Sequence, residues 1–168
     1  MSYRNKTYVI FDGDNDMWAY AYMKGWISRE HIDFNFYDAH DLKPLTQSAS
    51  DETVYARLRE RMANTKQAIL LIGDHTKTLR KFVPWELGLV LRKQIPLIAV
   101  NLNGERQKDP NLCPAIIQDE YVVYVSFRAK IVQYALDHFP NEYANRASGA
   151  KGARFYNDRV YQQLGVKN

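Results

Sequence analysis

The sequence predicts a three-layer α/β domain: a five-stranded parallel sheet of order 2-1-3-4-5 with helices on both faces. Three observations predict it. Ala68–Ile72 (AILLI) and Ile95–Leu102 (IPLIAVNL) are continuous apolar runs, as expected of strands buried on both faces. Strand-like and helix-like periodicities alternate strictly along the chain, which implies crossovers between parallel strands. At 168 residues, 46% of them hydrophobic and 25% charged, the chain is long enough for one domain with a substantial core.

Thr7–Phe11 (TYVIF) is β-branched and aromatic and forms the first strand, ended by the acidic loop Asp12–Asp16. Met17–Trp26 has no breaker before Gly25 and reads as a mostly buried helix. Ile32–Tyr37 alternates apolar and polar residues, the pattern of a half-buried edge strand. After the polar loop Asp38–Ser50, Ser50 or Asp51 caps a helix in which Val54, Leu58 and Met62 recur every four residues. The third strand, Ala68–Ile72, leads through Gly73–Lys81 to a helix over about Trp85–Lys93, with Pro84 in its first turn. Ile95–Leu102 is the fourth strand and Tyr121–Ser126 the fifth. A final helix presents Phe127, Ile131, Ala135, Leu136 and Phe139 on one face and ends near Pro140. Residues 1–140 are thus expected to form the domain, with 141–168 a polar extension packed on it or trailing from it.

Composition removes several function classes. One cysteine excludes a disulfide scaffold and argues against a Cys-rich zinc site. No apolar run approaches the roughly 20 residues of a membrane helix, and the polar start MSYRNKT has no signal-peptide core, so a cytoplasmic protein without membrane association is expected. The net charge of +4 combines 5 basic and 7 acidic residues over 1–50 with 18 basic and 12 acidic over 51–168. The basic excess is scattered in short clusters, so no nucleic-acid partner is expected.

Sheets of this order bind ligands beyond the carboxyl ends of the strands, where strands one and three diverge. That geometry gathers Phe11–Asp16, Tyr37–Asp41, Gly73–Thr78 and the entry to the Pro84 helix around one crevice. VIFDGDND is the most conspicuous string there. A calcium loop would need Gly at its sixth position and Glu at its twelfth; Met17 and Met23 stand there. A haloacid-dehalogenase-type phosphatase fits Asp12, Asp14 and Gly73-Asp74, but the next acidic residue of its Mg²⁺ site is missing from His75–Lys81. A receiver domain fits Asp74 but lacks the Lys after the fifth strand, where Phe127-Arg128 stands. Neither GxGxxG nor a P-loop is present. Cys113 reads as a packed loop thiol, and the four histidines show no metal spacing, so no metal is expected.

The second informative string, residues 79–104, places Glu86 in the first turn of its helix, with the aromatic residues Trp85 and Phe82 beside it. An aromatic-flanked carboxylate at the crevice has the means to bind a ribose.

Together, TYVIFDGDND, Lys24-Gly25-Trp26, FNFYDAHDL, LRERMANTKQAILLIGDHT, KFVPWELG, IPLIAVNLNG, Cys113-Pro114 and SFRAKIVQYALD resemble the bacterial TIR-like domains that include the TIR proteins of Thoeris antiphage defence. The resemblance runs in consistent order from about residue 6 to residue 140 and implies a flavodoxin-like fold, in agreement with the alternation of elements. It further implies NAD⁺ cleavage, with Glu86 matching the single catalytic Glu. That residue would bind the nicotinamide-side ribose and stabilise positive charge at the anomeric carbon. Phe11, Asp12, Asp14, Asn15, Tyr37, Asp38, Asp74, His75, Phe82 and Trp85 would border the substrate. NAD⁺ is then substrate and no cofactor is needed. The product would be ADP-ribose or a cyclic or conjugated derivative that activates a separate nucleotide-sensing effector, and the enzyme would form homo-oligomers on activation. The chain departs from the pattern in two respects: Phe82 stands where many catalytic TIR domains carry Trp, and the first loop is unusually acidic. Two further readings stay open, a non-catalytic TIR-like assembly module and a Mg²⁺-dependent phosphatase using Asp12.

Overall fold

The structure is a computed structural model that describes residues 7–29, 36–37 (backbone) and 50–167. The elements are β1 (Thr7–Ile10), α1 (Met17–Arg29), β2 (Phe36–Tyr37), α2 (Asp51–Met62), β3 (Gln67–Ile72), α3 (Phe82–Arg92), β4 (Leu97–Asn101), β5 (Val122–Ser126), α4 (Ala129–Ala144), β6 (Ala153–Phe155) and α5 (Asp158–Gln163). Short 3₁₀ turns at Thr76–Thr78 and Ala115–Ile117 follow β3 and precede β5.

The sheet has the order β2-β1-β3-β4-β5-β6. Its pairs are all parallel: Tyr8 lies opposite Tyr37 and Ala68, Ala68 opposite Leu97, and Ile98 opposite Val123. The expected order 2-1-3-4-5 is therefore present, with one more strand added beyond β5. Every residue of β1, β3, β4 and β5 is buried, as both-face coverage demands. Alternation splits them between two cores. Val9, Ile69, Leu71, Ile98, Val100, Val123 and Val125 pack against α1, α4 and Tyr161 of α5. Tyr8, Ile10, Leu70, Ile72, Leu97, Ala99 and Tyr124 pack against α2 and α3. Each fully buried Ile or Leu contributes about 2 kcal/mol relative to exposure, so these two layers supply most of the drive to fold.

Several boundaries differ from expectation for local reasons. The helix α3 begins three residues earlier than predicted. Pro84 is its third residue, a position whose N–H has no intrahelical acceptor, and the first backbone bond runs from Trp85 to the Lys81 carbonyl at 3.2 Å. At the start of α2, the expected cap is formed: the Thr53 N–H donates to Ser50 Oγ at 3.2 Å. Gly25 does not end α1, whose last residue, Arg29, donates back to the Gly25 carbonyl and lies over the Tyr22 ring. Nor does Pro140 end α4, which continues to Ala144. Stacking of Tyr121 on Phe139, with Tyr143 packed against both rings, holds the helix past the proline. Phe127, expected on that helix, lies before its first turn and packs on Trp26.

The polar tail is more structured than its composition suggests. Its strand β6 pairs with β5, and α5 buries Tyr161 completely, with the Ser126 N–H donating to its hydroxyl at 3.3 Å. Among the described residues, no helix is long and apolar enough to cross a membrane. The expected strand residues 32–35 and the loop residues 38–49, including Asp38, lie outside the described residues.

Candidate active site

The chain leaves β1 toward β2 and returns through β3 on the other side, so the carboxyl ends of β1 and β3 form the switch point of the sheet. The loop after β1 is organised by Asp12. Its carboxylate accepts from the Asp14 N–H (3.0 Å), the Asn15 N–H (3.3 Å) and the Asn15 side-chain amide (2.7 Å), while the Asp16 N–H donates to the Asp12 carbonyl. Asp12 is thus a buried turn-builder, whereas Asp14 and Asn15 are exposed. Phe11 turns into the core and stacks on Tyr20, with ring centroids 4.7 Å apart.

Asp16, a residue whose importance the spacing alone did not single out, is buried against the backbone of Gly73. Burial raises its pKa, and the Asp12 and Asp74 carboxylates add to the shift, while His75 and Thr76 oppose it. Its Oδ2 has no hydrogen-bond partner. Across the switch point, the Gly73 N–H donates to Thr76 Oγ1 at 2.9 Å and fixes the turn that carries the exposed Asp74 and His75. Asp12, Asp16, Asp74 and His75 therefore form one electrostatic group. Among the described residues, no three His, Cys, Asp or Glu side chains converge on a metal position.

Glu86 stands apart from this group. It lies in the second turn of α3, not the first as expected, and shares the sheet-facing stripe Val83, Glu86, Leu87, Val90. Its exposure is 3%, so the carboxyl is enclosed by protein and does not open directly onto the crevice. Burial pushes its pKa from 4.5 to about 8; a hydrogen bond with Tyr8 and the charge of Arg61 on α2 pull in the other direction. The same contact and the same burial raise the Tyr8 phenol far above its ordinary value. Glu86 Oε2 has no hydrogen-bond partner. Burial thus favours the neutral form of this carboxyl, which also carries an unused polar atom. It is a group that can exchange its proton and accept a ligand hydroxyl once solvent or substrate reaches it.

The flanking aromatics divide. Trp85 is half-buried against Tyr55 of α2, at 6.1 Å, while Phe82 is exposed at the head of α3. Lys81 lies over both rings and pairs with Asp51 at 3.2 Å. Tyr37 contributes its backbone to the pairing with β1. Tyr8 and Arg61 escaped the sequence reading. A tyrosine on the apolar face of a strand was the available signal, because a buried phenol needs a polar partner. Cys113 is buried with its Sγ 3.3 Å from the Tyr124 hydroxyl, and burial raises its pKa, as befits an inert packed thiol.

A family model described as the TIR-like domain of Thoeris protein ThsB matches residues 8–107. No curated protein matches the chain. The matched span begins within β1, ends beyond β4 and includes the switch-point loops and Glu86. More than half of the sequence is matched: the chain belongs to the TIR-like domain family of the Thoeris protein ThsB.

Proposed function

We propose that this Thoeris-family protein cleaves the nicotinamide–ribose bond of NAD⁺ in antiphage defence, with Glu86 as the catalytic carboxylate. The observation that carries the reading is a carboxyl with an unsatisfied Oε2, enclosed on α3 within the family-matched span. A ribose hydroxyl would satisfy that atom. In the reaction, the C1′–N bond breaks and its electron pair leaves with nicotinamide, discharging the pyridinium. Positive charge develops at C1′, and a nearby ionised Glu86 in a site of low polarity stabilises it far better than water does. The hydrogen bond from the Tyr8 hydroxyl favours the ionised form and orients the carboxylate. Water attacking C1′ gives ADP-ribose and releases a proton; attack by the adenine of the same molecule gives a cyclic product.

Asp14, Asn15, Asp74 and His75 at the switch point, Asp38 beyond β2, and Phe82 and Trp85 beside Glu86 would border the dinucleotide. The product would act on a nucleotide-sensing effector, and catalysis would accompany self-association. The decisive test is nicotinamide release from NAD⁺ by the wild-type protein and by Glu86→Gln, with and without a phage-derived trigger. Release by wild type and its loss in the variant support the assignment; equal release by both overturns it.

One observation favours a second reading, a non-catalytic assembly module: the Glu86 carboxyl is enclosed, and burial raises its pKa. Concentration-dependent oligomers without any nicotinamide release, whatever the trigger, would support that reading. A phosphatase built on Asp12 has less support, because both oxygens of that carboxylate are engaged in the turn.

A further inference from the structure

The face of the sheet opposite Glu86 carries a groove that the proposed chemistry does not use. It lies between α1, the junction of β5 with α4, and the residues after α5, and has a volume of about 690 Å³. Its apolar wall is aromatic. Trp26 and Phe127 form a buried floor with centroids 5.0 Å apart, while Trp18 and Tyr22 are 56% and 49% exposed. Trp18 stands edge-on to Phe127 at 5.9 Å and 86°, and Tyr22 stands edge-on to Trp26 at 6.3 Å and 85°. The floor rings are tilted 42° to each other, so the planar faces open to a planar guest are those of the exposed Trp18 and Tyr22.

The rest of the lining is cationic. Arg128, Lys130 and Lys167 contribute three positive charges, and among the described residues no carboxylate lines the groove. Arg128 and Ala129 also begin α4, a 16-residue helix whose first N–H groups receive no side-chain cap. Such a helix end attracts an anion through its free donors and its dipole. The Lys130 ammonium stands beside Gly165, so the segment after α5 and the head of α4 face the same space. A second cavity of about 880 Å³ shares Arg128 and Lys167 with the groove and continues past Arg106 and Lys108, where Glu105, Asp109 and Asp158 also line it and Asp158 pairs with Arg106 at 2.9 Å.

Exposed aromatic faces, three cations and an uncapped helix start select a ligand that combines a flat ring with phosphate. The volume suits a single nucleotide. We propose that this groove binds a nucleoside phosphate, with its base against Trp18 and Tyr22 and its phosphates at Arg128, Lys130, Lys167 and the head of α4. The site is separated from Glu86 by the full thickness of the sheet, and the inference does not depend on the cleavage reaction.

The test uses ADP as probe, with calorimetry and tryptophan fluorescence on the full chain. Saturable one-to-one binding is expected, weakened at least tenfold by Trp18→Ala, by Lys130→Glu and by replacing ADP with adenosine. Glu86→Gln should bind ADP as the wild type does. Both altered side chains are exposed, and the charge reversal leaves every ring in place, so loss of binding in that variant is not a packing defect. The proposal is overturned if ADP shows no saturable binding at millimolar concentration, or if Trp18→Ala and Lys130→Glu bind like wild type. It is equally overturned if only Glu86→Gln loses binding, or if Trp18→Ala abolishes self-association in a protein that ignores ADP.

Discussion

Tyr8 of β1 and Glu86 of α3 meet by hydrogen bond inside the layer between sheet and helix, and burial there pushes the Glu86 pKa up to about 8. A proton-binding group with a raised pKa ties both stability and chemistry to pH.

The sign of the stability effect follows from linkage. Folding favours protonated Glu86, so its contribution is complete below the unfolded pKa of 4.5, erodes as pH rises, and is gone above about 8. Glu86→Gln keeps a neutral side chain at all pH values. The variant should gain on wild type by a few kcal/mol between pH 5 and pH 8, a difference of about 5 °C or more in melting temperature for a domain of this size. Parallel melting curves for the two proteins across that range would contradict the enclosed carboxyl.

The same proton governs the proposed catalysis. Nicotinamide release should rise with pH toward a plateau above about 8, as Glu86 ionises. The Tyr8 hydrogen bond lowers the pKa of Glu86, so Tyr8→Phe should move the rising limb upward by about one pH unit while the plateau rate changes less. A limb that stays in place would show that Tyr8 does not hold the carboxylate.

Gly73 is required by Asp16 rather than by its own backbone. A Cβ at position 73 would collide with the Asp16 carboxylate, which is itself walled in. Gly73→Ala should cost about 2 kcal/mol in urea denaturation, and Asp16→Ala in the same chain should restore most of it. Wild-type stability in the single variant would remove the contact.

Pro140 sits inside α4 without ending it. Alanine there restores a backbone donor and relieves the ring from the preceding turn, so Pro140→Ala should stabilise the protein by about 1–3 kcal/mol. Destabilisation in a thermal melt would mean that the proline ring packs usefully.

The sheet order was legible because apolar runs such as Ala68–Ile72 leave no alternative to central strands. The loops at the switch point were legible for the same reason, since strand ends place them. What the sequence hid was long-range and local competition. Pro140 looks like a stop until Tyr121, Phe139 and Tyr143 are seen to clasp the helix across it. Glu86 looks like a first-turn carboxylate until α3 is seen to begin at Phe82, which turns it toward the sheet and Tyr8. The tail looks polar because only Tyr161 of its helix is fully buried, and one side chain is too weak a signal to read.

The family-matched span stops at residue 107, yet the core facing α1 is completed by Val123, Val125, Ile131, Val132, Ala135, Leu136, Phe139 and Tyr161. Residues 8–107 alone would keep α1 on that face but lack α4 and Tyr161, leaving part of this core open to water. What makes the chain recognisable and what lets it fold are therefore different lengths of sequence. Any transplant of this domain into another protein has to carry the chain through Tyr161 to move a unit that stands by itself.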